Sequence, residues 1–133
     1  GYKMSLNDPL ANALSLILTD ERAGRKESKI MPSSKIVEKV LDVMKNNNYV
    51  GDFEEIKGRG GNSIKLNLLG NINKCGVIKP RYSVKKGDFE RFEERYLLAR
   101  GMGILIISTP LGIITHKESK KKNMGGKLLA YCY

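Results

Sequence analysis

The chain has 133 residues, 41% of them hydrophobic and 29% charged, with a formal net charge of +10 at pH 7. That length suits one domain or two very small halves, and the ordinary apolar content excludes a disordered chain. No stretch approaches the roughly 20 apolar residues that span a bilayer, and no basic segment followed by an apolar core marks a secretory leader. Met4 is read as the native start, preceded by Gly1 to Lys3.

Asp8 followed by Pro9 reads as a helix cap and first helical position. Leu10, Ala11, Leu14, Ile17 and Leu18 then recur on one face, so a helix is predicted from about residue 8 to Arg22, ending near Gly24. "SKIMP" is a short strand. Ser33 or Ser34 caps a second helix whose apolar face is Ile36, Val37, Val40, Leu41 and Met44. "YVGDFEEIK" and "SIKLNLL" are strands joined by the turn "GRGGN", and the alternation of Ile64, Leu66 and Leu68 marks a half-buried strand. Two helices and three strands make a small α/β unit over residues 4–69.

Residues 70–133 read as mainly β. "NINKCGVIKPRYSV" is a strand broken by Pro80 and resumed near Tyr82. A short helix runs from about Asp88 to Leu97, with Phe89, Phe92, Tyr96 and Leu97 on one side. "GILIIS" is a strand buried on both faces, "GIITH" is another, "KESKKKN" is a charged helical turn, and "KLLAYCY" is a terminal strand. No linker of low complexity separates the halves. The fold class expected is therefore α+β, in two tightly packed small units.

The charge is unevenly placed. Residues 1–56 hold 8 basic and 9 acidic groups, whereas residues 57–133 hold 16 basic and 5 acidic groups. The excess of +11 on the second half is self-repulsive unless a polyanion relieves it, which points to nucleic acid over a plain solubility surface. A membrane surface fits less well, because no basic amphipathic helix is evident. Cys75 and Cys132 are too few for a disulfide framework and lack metal spacing, so both are read as small buried residues in a reducing cytoplasm.

Catalysis finds little support. The single histidine, His116, falls at a predicted strand end beside lysines and reads as exposed. Glu54–Glu55 and Glu93–Glu94 are adjacent pairs whose side chains diverge, so each reads as a solvated face. "GRGGNS" lacks the spacing and lysine of a phosphate loop and lies between strands. Neither an enzyme, a cofactor, a metal nor a small-molecule substrate is expected.

Three features instead suit a partner. Ser108 and Thr109 end the buried strand, and Pro110 stiffens the loop after them. They can be nucleophiles, turn caps or short hydroxyls that let a rigid surface come close. Gly125 and Gly126 follow Lys120, Lys121 and Lys122, so a backbone with free N–H groups lies beside cations suited to phosphates, or else forms an ordinary turn behind a solvated face. Arg81 beside Tyr82 offers a phosphate pair and a stacking ring, unless the ring belongs to the core.

Three blocks in order, "DPLANAL", "NKCGVIKPRY" and "GILIISTPLGIITHKESKKKNMGGKLLAYCY", resemble the small-subunit ribosomal protein numbered eight in its archaeal and eukaryotic form. The resemblance covers residues 4–133. It implies a structural constituent of the small ribosomal subunit in the cytoplasm, a monomer when free, with ribosomal RNA and neighbouring ribosomal proteins as partners. It implies binding to an irregular, widened stem of the central domain of the small-subunit RNA, through minor groove and backbone, and a part in assembling that domain. The same surface used off the ribosome, as an RNA-binding regulator of translation, is the alternative. The resemblance puts the main RNA contact on Ser108 and Thr109, an aromatic contact on Tyr82 and a glycine turn on Gly125 and Gly126. Pro110 stands where the family usually has a third hydroxyl. Lys127 stands where bacterial members carry a glutamate, which suits a phosphate contact. A further contact near the start of the second helix maps to Ser33, Ser34 and Lys35.

Overall fold

A computed structural model of the protein describes residues 8–98 and 102–133. The expected start at Met4 lies outside the described residues. Backbone contacts divide the chain between Asn73 and Lys74 into two compact units.

The first unit runs α1 (Pro9–Arg22), β1 (Glu27–Ile30), α2 (Lys35–Asn46), β2 (Val50–Ile56) and β3 (Ser63–Leu68). Asp8 caps α1 as its sequence suggests: its carboxylate accepts the Ala11 N–H at 3.1 Å. The helix ends at Ala23, and Gly24 takes the left-handed φ of +75° that a side chain would strain. Leu10, Leu14 and Ile17 of α1 are buried, as are Val37, Val40, Leu41 and Met44 of α2. The three strands form an antiparallel sheet in the order β1-β3-β2. Register puts Ile30 opposite Ile64 and Ser28 opposite Leu66, so one face is buried while Glu27, Lys29, Lys65 and Asn67 lie on the solvated face.

The second unit runs β4 (Cys75–Val77), β5 (Ser83–Val84), α3 (Phe89–Tyr96), β6 (Ile104–Thr109), β7 (Gly112–Thr115), α4 (His116–Lys121) and β8 (Gly126–Cys132). The strand expected to break at Pro80 is the pair β4 and β5, both laid against β8. The sheet order is β4-β8-β6-β7, with β5 also on β8. Central β6 explains the unbroken run Ile104–Ile107: all four residues are buried, on both faces. Leu105 and Ile107 join Leu128, Ile78, Val84, Phe89, Phe92 and Leu97 in one apolar cluster, so α3 covers that face of the sheet. The architecture is thus α+β, a helix–sheet unit followed by a mainly β unit with short helices. Cys75 and Cys132 are buried, as expected.

Two expectations fail here. His116 is buried at 1% exposure and opens α4 instead of ending a strand at the surface. Glu93 is buried at 7%, whereas its neighbour Glu94 is exposed. Both look solvated in sequence because charged residues surround them. The structure turns them toward each other.

Candidate nucleic-acid interface

The end of the second sheet is built from four strands at once. Ser83 lies opposite Lys127, Lys127 opposite Ser108, and Ser108 opposite Ile113. Directly opposed residues share a face, so Ser83, Lys127 and Ser108 project together. Their neighbours Val84, Leu128 and Ile107 point into the apolar cluster, which puts this row on the face opposite α3. Ser83 and Lys127 are exposed and Ser108 half-buried. Ser83 was not legible as a candidate, because only strand register brings it to Lys127.

The two hydroxyls at the end of β6 have different surroundings. Thr109 Oγ1 donates to the Gly112 carbonyl at 2.8 Å and accepts the Leu111 N–H at 3.2 Å, closing the two-residue turn Pro110–Leu111. The local turn-capping reading therefore describes Thr109, which keeps one acceptor lone pair and no donor. Ser108 Oγ makes no hydrogen bond among the described residues, so its donor and acceptors stay available. Pro110 and Leu111 form the exposed tip.

Gly125 and Gly126 are dictated by packing inside the sheet. A Cβ on Gly125 would meet the Val84 carbonyl oxygen, and one on Gly126 would meet the Ser108 carbonyl oxygen and, at 2.8 Å, Ile107 Cγ2. The close backbone approach is thus made by β5 and β6.

Tyr82 has its ring on the other face of the sheet, packed at 5.5 Å from Phe92, with the Arg95 guanidinium 5.7 Å from the ring centre. With Arg91 these residues line a shallow cleft of about 320 Å³. Arg81, next to Tyr82 in sequence, is exposed. Tyr82 and Ser108 therefore share an end of the sheet but not a face.

The lysine run also divides. Lys120 Nζ lies 2.8 Å from Glu93 Oε1, and the same oxygen is 2.8 Å from His116 Nε2. His116 Nδ1 accepts the Leu105 N–H at 3.0 Å, so the ring is neutral with its proton on Nε2, donated to Glu93. One buried carboxylate thus clasps α3 to α4, and the imidazole joins both to β6. Lys121 and Lys122 are exposed, with no ion pair among the described residues.

Burial holds the His116 pKa below its usual 6.5; Glu93 opposes the shift, while Lys120 and Lys117 add to it. The folded state therefore resists a proton that the unfolded chain accepts. Stability contributed by neutral His116 is present above pH 6.5 and is lost as pH falls from there through the depressed folded value. In thermal melts across this window, wild type is expected to lose stability more steeply than His116→Gln. Equal slopes would show that His116 is not held neutral.

In the first unit, Ser33 and Ser34 precede α2. Ser33 N–H donates to the Asn62 carbonyl at 2.8 Å and its hydroxyl to Glu55 at 2.8 Å, which ties the 58–62 turn to the helix start. Ser34 is the cap residue in extended conformation, yet its side chain makes no cap hydrogen bond. Lys35 is exposed on the first turn.

Among the described residues, the histidine activates no serine or cysteine. Both ring nitrogens of the single histidine are engaged within the fold. Among the described residues no cluster of three or more His, Cys, Asp or Glu side chains can hold a metal, and no helix is long and apolar enough to cross a membrane. What the second unit presents is a stiff sheet end with short hydroxyls and cations.

A family model described as ribosomal protein S8 matches residues 8–133. Members of that family associate with the ribosome and bind ribosomal RNA and neighbouring ribosomal proteins. A basic sheet end with short hydroxyls suits that role, and the chain belongs to the ribosomal protein S8 family, structural RNA-binding proteins of the small ribosomal subunit that serve translation and are not enzymes.

Proposed function

We propose that the second unit docks on an irregular stem of the central domain of the small-subunit ribosomal RNA and helps that domain assemble, in the cytoplasm. The observation that carries this is the row Ser83–Lys127–Ser108, which sets an unengaged hydroxyl beside an exposed cation at the end of a packed sheet. A-form RNA displays 2′-hydroxyls and base edges in a shallow minor groove, which short hydroxyl side chains fit without clash. Ser108 makes the new hydrogen bonds, and Thr109 holds the turn while its remaining lone pair accepts one. Pro110 keeps that turn stiff. Lys127, Lys121 and Lys122 contact phosphates. Arg81 and Tyr82 contact RNA at the other face of the same sheet end, and Gly125 and Gly126 let the row form. In the first unit, Ser34 and Lys35 at the start of α2 take a backbone phosphate, with Ser33 fixing the approach. Lys127 and the "NKCGVIKPRY" block favour the archaeal and eukaryotic type.

The two hydroxyls give separable outcomes in binding titrations with the isolated stem. Ser108→Ala is expected to weaken binding about tenfold, the worth of a typical lost hydrogen bond, with stability unchanged. Thr109→Ala is expected to lower stability by about 1 kcal/mol through the turn. Wild-type affinity in Ser108→Ala would end the assignment. Replacing Lys121 and Lys122 by Gln is expected to lower affinity for every RNA and flatten the salt dependence by roughly one unit of slope per side chain. An unchanged slope would place both side chains in solvent.

A further inference from the structure

We propose that Cys75 and Cys132 are a modification site: a hydroperoxide joins them in a cross-strand disulfide, which a dithiol reopens. The two residues are direct partners in the antiparallel pairing of β4 with β8. One rung away, Lys74 and Tyr133 exchange both backbone hydrogen bonds, Lys74 N–H to Tyr133 O at 3.0 Å and Tyr133 N–H to Lys74 O at 2.9 Å. That makes 74–133 a hydrogen-bonded rung. Rungs alternate, so 75–132 is of the non-hydrogen-bonded kind, in which Cα atoms approach to about 4.5 Å and side chains stand closest. The bond from Ile78 N–H to Leu129 O fits the same alternation. About 4.5 Å lies inside the Cα separation of roughly 4.4–6.8 Å that a disulfide accepts without moving the backbone.

Both cysteines are buried, at 4% and 0% exposure. Cys132 lies in the sheet interior, between Cys75 and Ile104. Cys75 is on β4, an edge strand of only three residues. Brief opening of that edge admits a small neutral oxidant to Cys75 before Cys132, whereas bulky disulfide oxidants are excluded. The Cys75 sulfur attacks a peroxide oxygen. An S–O bond forms, the O–O bond breaks and one water leaves. The Cys132 sulfur then displaces the sulfenic oxygen, forming S–S as a second water leaves. Two thiols and one hydrogen peroxide give one disulfide and two waters, with both thiol protons in the water. The product ties the edge strand to β8 and closes a loop spanning most of the second unit, which restricts the unfolded chain.

The test treats the whole folded protein with hydrogen peroxide, blocks remaining thiols and maps peptides without reduction. The expected result is loss of two hydrogen masses, one linked pair of peptides holding Cys75 and Cys132, and a Tm raised by about 5 °C that a dithiol reverses. Cys132→Ser is expected to leave Cys75 as a sulfenic acid that a diketone reagent traps. If that variant does not fold, the wild-type peptide map decides alone. Disulfide-linked dimers, sulfinic products at either cysteine, two unreacted thiols or a lowered Tm would each overturn the proposal.

Discussion

Gly126→Ala and Gly125→Ala are each expected to lower stability by about 3 kcal/mol or more, with the loss in RNA affinity following from the damaged fold. The added methyl of Gly126→Ala meets the Ser108 carbonyl oxygen and Ile107, and that of Gly125→Ala meets the Val84 carbonyl oxygen. These obstacles are mostly backbone, which cannot swing aside as a flexible side chain does. Relief requires β5 or β6 to move away from β8, breaking ladder bonds in the row that carries Ser83, Lys127 and Ser108. Gly60→Ala is the control, since nothing lies within 4 Å of its added methyl. Urea unfolding gives the comparison: the midpoints of Gly125→Ala and Gly126→Ala fall and that of Gly60→Ala does not. Unchanged midpoints with weakened RNA binding would mean that the glycines serve the ligand and not the sheet.

Glu93→Gln has the second large effect, about 2–3 kcal/mol of stability. It removes the charge that meets both His116 Nε2 and Lys120 Nζ at 2.8 Å, and it does so in a site only 7% exposed. A hydrogen bond to a charged group is worth about 1.5–3 kcal/mol, and leaving a buried partner poorly paired adds to the loss. The Lys120 contribution is discounted, because that side chain is 40% exposed. The clasp holds α4, so Lys121 and Lys122 lose their fixed position as well. Stem affinity should fall while the number of cations, and hence the salt slope, stays the same. Glu94→Gln, one residue away and exposed, should change neither quantity. Equal unfolding midpoints for the two variants would show that Glu93 is not a tie between the helices.

Much of this fold is legible from periodicity, since burial follows from it. Leu10, Leu14 and Ile17 announce α1, and the four-residue run Ile104–Ile107 announces a central strand. The roles of His116 and Glu93 are hidden because the two side chains that pair in space are separated by 23 residues and stand among solvated lysines and glutamates. Pattern reading assigns such residues to the surface. Ser108 and Thr109 are chemically alike in sequence, and only the turn Thr109–Gly112 shows which hydroxyl is engaged. Gly125 and Gly126 read as a ligand cradle or a turn, yet the crowding at their α-carbons comes from strands remote in sequence. Ser83 acquires meaning only through its register with Lys127.

Directed cleavage is the sharpest test of the docking face. An iron chelate is attached through Ser83→Cys, and separately through Glu94→Cys on the solvent side of α3, with the buried native thiols left unmodified. Each protein is bound to full-length small-subunit ribosomal RNA and the strand breaks are mapped. A compact set of breaks in one central-domain stem is expected from position 83, and far weaker breaks there from position 94. Breaks scattered over the RNA from position 83, or stronger cleavage of the stem from position 94, would contradict it.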